Sequence, residues 1–415
     1  MKNDAIIAGL DVGAHSIKCV VAELKADDTV EILGTGCQPC AGIREGLVHD
    51  RDLLAQAIQK TVDEAGLMAG CEIGSVWVAV SGSRMTGRKS TGLSRITGGR
   101  VNAQHVEQAL DLAQAVKLPP EHAIMHVIPR GYSIDEGGFV AAPHGMPGVR
   151  LEVDAHLIVG HTALTAEIEA SCAQAGIAVE DFVYAPLAAA EFLLKPEDRE
   201  LGVVLLDIGG STTHVAVFKE GGLLHTSNIP VGGEHVTSDV RDCLHTPTVE
   251  AERLKRDWGC AMTSLIEPQA EIEIPGAGGR RPRVVKQAML CEIIEARVAE
   301  ILAIVADDLA SGGFVDGLPG GVVLTGGGAD MKGVVELTED VLGMQTSAGA
   351  PHAITGLVDV VRNPRYATGS GLVKCGTLTT PKWVNPRRQI QTPSWWQKTR
   401  QNLRKLWGGG YSESR

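Results

Sequence analysis

The chain has 415 residues, 44% hydrophobic and 21% charged, ordinary globular values that leave room for two or more domains with cores of their own. Its formal net charge of −12 argues against general nucleic-acid binding, because an acidic body repels phosphates. Nine scattered cysteines do not make a disulfide framework and fit free thiols in a reducing compartment.

The opening MKNDAIIAGLDVG, interrupted by Asp11, is not expected to be a signal peptide. No apolar run reaches the roughly 18 residues of a membrane-spanning helix, so a cytoplasmic protein is expected. Residues 6–24, IIAGLDVGAHSIKCVVAEL, read as an apolar strand, an Asp-x-Gly turn and a second strand with alternating apolar residues Ile17, Cys19 and Val21. A third strand, TVEILGTGCQPC, follows. It ends in a CxxC, Cys37 and Cys40, but a zinc site needs two further ligands at matching spacing and the sequence offers none.

The same layout returns about 200 residues later. GVVLLDIGGSTTHVAVFKE (202–220) has Asp207 where the first copy has Asp11, and Gly209 where it has Gly13, and GLLHTSNIPVGG supplies its third strand. Two matched meanders predict two similar α/β halves facing each other. Glycine lets backbone approach a ligand, and a tight turn gathers N–H groups into a concavity that suits phosphate. An Asp ahead of each turn can hold Mg²⁺ through water. Lys18, on the first return strand, can reach a phosphate as a point charge. One such turn would be an ordinary hairpin; two in matched meanders predict a nucleotide cleft.

Between the copies, VWVAVSGSRMTG (76–87) leads into a segment that runs to about residue 164. It holds a helix N-capped by Asn102, the stretch HAIMHVIPRGYSID, the loop EGGFVAAPHGMPG and the alternating strand VRLEVDAHLIVG. This reads as a small α+β subdomain inserted in the first lobe. After the second copy, AERLK (251–255) places Glu252 and Lys255 on one helix face, where they form a surface ion pair or reach the ribose and base of a nucleotide. MLCEIIEARVAEILAIVADDLA is a long helical pattern with Glu292, Glu295, Arg297 and Glu300 among its apolar positions; a solvated face and a partner-binding face both fit it. GGVVLTGGGADMKGVVEL (320–337) predicts a buried strand, a turn at Gly326, Gly327 and Gly328, and an amphipathic helix from about Met331.

The order DxGxxxxK, DxGG[ST]T, AExxK, TGGG resembles the actin, heat-shock chaperone and sugar-kinase ATPase superfamily. That resemblance implies ATP and Mg²⁺ bound between two lobes. It assigns Asp11, Gly13, Ser16 and Lys18 to the first phosphate loop and Asp207, Gly209, Gly210, Ser211 and Thr212 to the second. Glu252, Lys255 and Gly326, Gly327 and Gly328 fall on the nucleoside side, with Asp11 and Asp207 nearest the metal. HVIPRGYSID, GMPGVRLEVDAHL and IPVGGEHVTSDV, in this order along nearly the whole chain, closely resemble the FtsA family of bacterial cell-division proteins. Implied are an actin-like two-lobed α/β fold with the inserted subdomain, self-assembly into filaments or oligomers, and attachment of FtsZ filaments to the cytoplasmic face of the inner membrane at the division site. A small-molecule kinase or a pilus-assembly member of the same superfamily is the alternative. The kinase lacks an obvious phosphorylating carboxylate here, and the inserted-subdomain motifs argue against the pilus protein.

The expected organisation is a first-lobe core at 1–85, completed by 165–200 and about 358–380, with the insert at 86–164. The second-lobe core takes 201–231 and 312–357, and its small subdomain 232–311. A linker covers 381–393 and a terminal amphipathic helix 394–407. Hydrolysing members of the superfamily, chaperone-like and MreB-like, carry a Glu before the Pro of an EPxAAA motif, where it orients the attacking water. This chain reads YAPLAAAEF, with Ala185 before Pro186. Alanine can neither act as a base nor orient water, and Glu191 is expected to face elsewhere, so weak or absent ATP hydrolysis is predicted. The resemblance also places the FtsZ C-terminal peptide on the small subdomain of the second lobe. Arg283 and Arg297 are the candidates for its acidic residues, beside the basic, glycine-rich GAGGRRPR (276–283). Later division proteins are further expected partners.

The tail reverses the chain's charge. From Pro381 to Arg415 there are eight Lys and Arg against one acid, a net +7 that leaves the rest at −19. Residues 381–393, PKWVNPRRQIQTP, carry three prolines and little periodicity. Wound as a helix at about 3.6 residues per turn, SWWQKTRQNLRKLW (394–407) gathers Trp395, Trp396, Leu403, Leu406 and Trp407 into one arc of about 120°. Lys398, Arg400, Arg404 and Lys405 lie outside it. That pattern predicts a helix lying in the plane of an anionic phospholipid membrane. Each basic residue contributes about 1 kcal/mol near such a surface, so one helix holds reversibly, and a polymer presenting many holds far more tightly.

Overall fold

Each copy of the repeat folds as an antiparallel meander extended on one side by parallel strands. The computed structural model describes residues 5–25, 29–40, 42–44, 46–275, 281–351, 354–377 and Trp383. The first meander is β1 (Ala5–Val12), β2 (Ser16–Leu24) and β3 (Val30–Pro39). A two-residue hairpin, β4 (Ile43–Arg44) and β5 (Leu47–Val48), precedes helix α1 (Arg51–Ala69) and strand β6 (Ser75–Val80). Asp50 caps α1 by accepting from the Leu53 amide at 2.9 Å.

The insert contains β7 (Thr86–Arg95), α2 (Ala103–Ala113), β8 (His122–Ile134) and β9 (Arg150–His161). Its sheet has the order β7-β9-β8, all antiparallel. Helix α2 packs on it through Ala109 and Leu110, against Val127 and Leu157. Asn102 caps α2 as expected: its Oδ1 accepts from the His105 amide, and His105 Nδ1 accepts from the Asn102 amide, both at 3.1 Å. Residues Met85–Thr162 form a compact unit with Gly222–Leu224 and Trp383. Of the range expected as a linker, 381–393, only Trp383 is among the described residues. It is buried, edge-on to the buried His126 ring at 5.8 Å between centroids.

The chain returns to the first sheet through α3 (Thr162–Gln174), β10 (Ala178–Tyr184), α4 (Ala185–Leu193) and the short α5 (Pro196–Leu201). The second meander is β11 (Val203–Ile208), β12 (Thr213–Lys219) and β13 (Gly222–Ile229). Every residue of β11 is buried, as a strand covered on both faces must be. Helices α6 (Gly233–Leu244), α7 (Thr248–Trp258) and α8 (Gln287–Ser311), with the hairpin β14 (Glu271–Ile274) and β15 (Arg283–Lys286), make the small subdomain. The chain then forms β16 (Val322–Thr325), α9 (Val334–Leu342), β17 (Thr346–Ala348), β18 (Ile354–Gly356), α10 (Val358–Val361) and α11 (Ala367–Thr377).

The two large sheets run β10-β6-β1-β2-β3-β18 and β13-β12-β11-β16-β17. In both, the meander's first strand pairs parallel with the next strand inward, so the sequence repeat is a repeat of topology. One boundary shifts. Strand β18, inside the range expected for the second lobe, pairs parallel with β3 and closes the first sheet's edge. The helix expected from about Met331 also starts later, at Val334, because a short 3₁₀ turn occupies Gly327–Asp330.

Candidate functional site

The two Asp-x-Gly turns have one hydrogen-bond pattern. Gly13 N–H donates to the Ser16 carbonyl at 3.2 Å, and Gly209 N–H donates to the Thr212 carbonyl at 2.9 Å. Each turn reverses the chain between strands in register, so the residue across from each Asp is fixed. Asp11 faces Lys18, and Asp207 faces His214. Both turns open on one cavity of about 970 Å³, a size that suits a nucleotide-sized ligand.

Every residue expected for the phosphate and nucleoside sides lines this cavity: Asp11, Gly13, Ser16 and Lys18, then Asp207, Gly209, Gly210, Ser211 and Thr212, then Glu252, Lys255 and Gly326, Gly327 and Gly328. Gly326 has φ +81°, and a Cβ there would lie 2.2 Å from Asp207 Oδ1. Only glycine allows the third turn to close against the second-loop carboxylate. A Cβ on Gly327 would meet nothing within 4 Å, so bare backbone faces open space.

Charge is concentrated at the turns. Lys18 Nζ lies 3.2 Å from Asp11 Oδ2, both side chains largely buried. Burial works against the Lys18 charge, but the charge and hydrogen bond of Asp11 outweigh it, and the ammonium is held above its usual range. Burial pushes the Asp207 carboxyl up; His214 and Lys18 pull it back, and the Asp11 charge adds to the rise. Two carboxylates with a single lysine between them leave a charge deficit that a hydrated divalent cation would relieve. The described residues hold no cluster of three or more His, Cys, Asp or Glu with metal-ligand spacing, so a cation here would draw on these carboxylates and on water.

Also on the cavity's lining, the Lys255–Glu252 ion pair is made, at 2.6 Å. It is partly buried and also lines the cavity, so the two expected roles are compatible. Lys255 further donates to the Gly233 carbonyl at 3.0 Å and to Thr237 Oγ1 at 2.8 Å. Burial would raise the Glu252 carboxyl, but Lys255 and Thr237 hold it below its usual range.

Ala185 lines the cavity at the first turn of α4. Glu191 does not. It is buried and accepts from Arg199 Nη1 at 2.6 Å, so no carboxylate replaces the one missing at 185 from within this helix. Sequence reasoning missed several lining residues, among them His15, Glu234, Trp258, Lys332, Arg365 and His214. His214 had a signal, since it occupies the repeat position of Lys18. Trp258 had one too, three residues beyond Lys255 on α7. Arg365 had none, because it arrives from the far end of the chain to pair with Asp330 at 2.5 Å.

Of the two arginines expected to receive a peptide, Arg297 is already engaged by Asp239, at 2.5 and 3.1 Å, and by Glu300. Glu295 likewise accepts from the Thr263 amide at 2.7 Å. Arg297, Glu295 and Glu300 are therefore engaged within the subdomain's own fold, while Glu292 is exposed. Arg283 is exposed on β15 and donates to the Leu244 carbonyl at 2.8 Å. Residues 276–280 of the adjoining basic loop lie outside the described residues, as do Trp395, Trp396, Lys398, Arg400, Leu403, Arg404, Lys405, Leu406 and Trp407. No helix among the described residues is long and apolar enough to cross a membrane.

A family model described as cell division protein FtsA matches residues 204–371, and one described as the SHS2 domain inserted in FtsA matches residues 82–159. Cell division protein FtsA of Pseudomonas aeruginosa is 38% identical over 376 residues, 91% of this chain and 90% of that protein. Its Escherichia coli K12 counterpart is 35% identical over 410 residues, covering 96% and 98%. Among solved structures, the PilM–PilN type IV pilus biogenesis complex matches with a TM-score of 0.67 at 17% identity, over 90% of this chain and 98% of that one. MreB5 of Spiroplasma citri bound to ADP matches at 0.50 and 13% identity, over 88% and 94%. These two show the fold alone, an actin-like one.

Proposed function

The chain belongs to the FtsA family of cell-division proteins, and on that premise we propose that it is an ATP-binding, actin-like scaffold. In this reading it assembles with copies of itself and tethers FtsZ filaments to the cytoplasmic face of the membrane. The observation that carries the nucleotide part is the pair of matched turns opening on one cavity, each with its Asp across from a basic or ionisable side chain.

The residues present fit a nucleotide with its Mg²⁺. The other backbone N–H groups of the Gly13 and Gly209 turns would cradle phosphate oxygens. Lys18 supplies a fixed positive charge, and Asp11 and Asp207 hold the cation through water. Bound Mg²⁺ would offset the phosphate charge. At Ala185 there is no group to orient water, which supports slow or absent hydrolysis, with nucleotide acting as a conformational and assembly ligand. The basic, tryptophan-bearing tail supports attachment to anionic lipid. Exposed Arg283 on the small subdomain supports capture of an acidic FtsZ C-terminal peptide, and other division proteins are expected on the insert.

Titration of the protein with a fluorescent ATP analogue tests the nucleotide reading. Saturable Mg²⁺-dependent binding is expected. Lys18→Ala should weaken it about tenfold or more, roughly 1.4 kcal/mol. Equal affinity in the variant would remove Lys18 from the site, and no binding by the parent protein would remove the reading.

A further inference from the structure

Behind the second phosphate loop runs a chain of polar side chains that nucleotide binding does not require. Thr212 Oγ1 lies 3.0 Å from His214 Nε2. His214 Nδ1 contacts Asn228 Oδ1, and the Tyr184 hydroxyl donates to the same oxygen at 2.8 Å. Thr212, His214 and Tyr184 are all buried. Thr212 and His214 line the cavity, and Tyr184 is the residue directly before Ala185.

The direction of each bond follows from what the atoms can do. A carbonyl oxygen of an amide only accepts. With Tyr184 donating to Asn228 Oδ1, His214 Nδ1 beside it must also carry its hydrogen. A ring that carries that one hydrogen has a lone pair at Nε2. The one hydrogen of the Thr212 hydroxyl is spent on that lone pair, and the hydroxyl oxygen turns its own lone pairs to the cavity.

We propose that His214 is a positioning residue that fixes Thr212 as a hydrogen-bond acceptor. The second loop thereby favours a nucleotide carrying its hydrated cation over a bare phosphate chain. An acceptor-only hydroxyl cannot donate to a phosphate oxygen, but it can take a hydrogen bond from a water of the cation's shell. The repeat gives the device its logic: the first loop places a lysine across from its Asp, and the second places a ring whose hydrogen is directed from behind. The proposal rests on the nucleotide reading of the cavity.

Two measurements test it. The ¹⁵N ring shifts of His214, recorded on the full chain without nucleotide, should show one ring hydrogen, carried on Nδ1. Hydrogen on Nε2 overturns the proposal, whether Asn228 is turned so that its amide donates or both ring nitrogens carry hydrogen. Second, the ratio of ATP affinities with and without Mg²⁺ should fall about tenfold in Thr212→Val and in His214→Phe. It should fall no further in the double variant, because the two residues act as one unit. An unchanged ratio in Thr212→Val, the more conservative change, overturns it even if His214→Phe fails to fold. If the parent protein binds no ATP, the nucleotide reading fails, and the ring measurement alone then decides whether Thr212 is held as an acceptor.

Discussion

A Cβ built on Gly371 would lie 1.9 Å from the carbonyl oxygen of Ala188. Helices α11 and α4 therefore cross backbone against backbone beneath the first sheet, where α4 carries Ala185 to the cavity wall. Gly371→Leu must push the helices apart, and overpacking of this kind costs about 1–3 kcal/mol or more. The variant should melt several degrees below the parent by circular dichroism. An unchanged melting temperature would mean that the crossing is looser than its geometry indicates.

Restoring a carboxylate at the vacant position tests the account of slow hydrolysis. Ala185→Glu should raise ATP turnover, by up to roughly 10²-fold if the new carboxylate orients water as a general base does. Phosphate release under single-turnover conditions measures it. Retained ATP binding with no gain in turnover would show that Ala185 is not what limits the reaction.

The insert carries its own pH sensitivity. Burial depresses the His126 ring from 6.5 to about 3, so it is neutral in the folded protein while the unfolded chain takes up a proton below about 6.5. The stability it contributes is full above pH 6.5 and lost as pH falls toward 3, at about 1.4 kcal/mol per unit at most. Urea midpoints of the parent should therefore drop between pH 6.5 and 4.5 more steeply than those of His126→Leu. Parallel slopes would show that other groups set the acid response.

The tail can be tested apart from the body. Trp396→Glu or Leu403→Glu, each on the apolar arc of residues 394–407, should abolish co-sedimentation with anionic liposomes while ATP binding survives. Binding by the parent should weaken as salt rises, because the basic arc is screened. Unchanged co-sedimentation of either variant would refute the anchor.

The sequence by itself determined what local pattern and repetition can carry. The two meanders, the Asp-x-Gly turns and the Asn102 cap follow from strand alternation, turn chemistry and capping, which act over a few residues. The comparison of one copy with the other also contained His214, in the place of Lys18, though its meaning was not legible there. Only the tertiary structure decided the rest. Glu191 is expected to face away from the cavity, but that Arg199 is what holds it in the core was not legible. Arg297 looked available until Asp239, 58 residues away, was found across from it. Strand β18 reads as part of the second lobe, yet it closes the first sheet because β3 offers an edge to pair with. The Thr212–His214–Asn228–Tyr184 chain joins residues up to 44 positions apart. In each case the deciding partner lies outside the local pattern the sequence displays, on another element, and where the pair is buried its pairing is obligatory, because a buried polar group without a partner is costly.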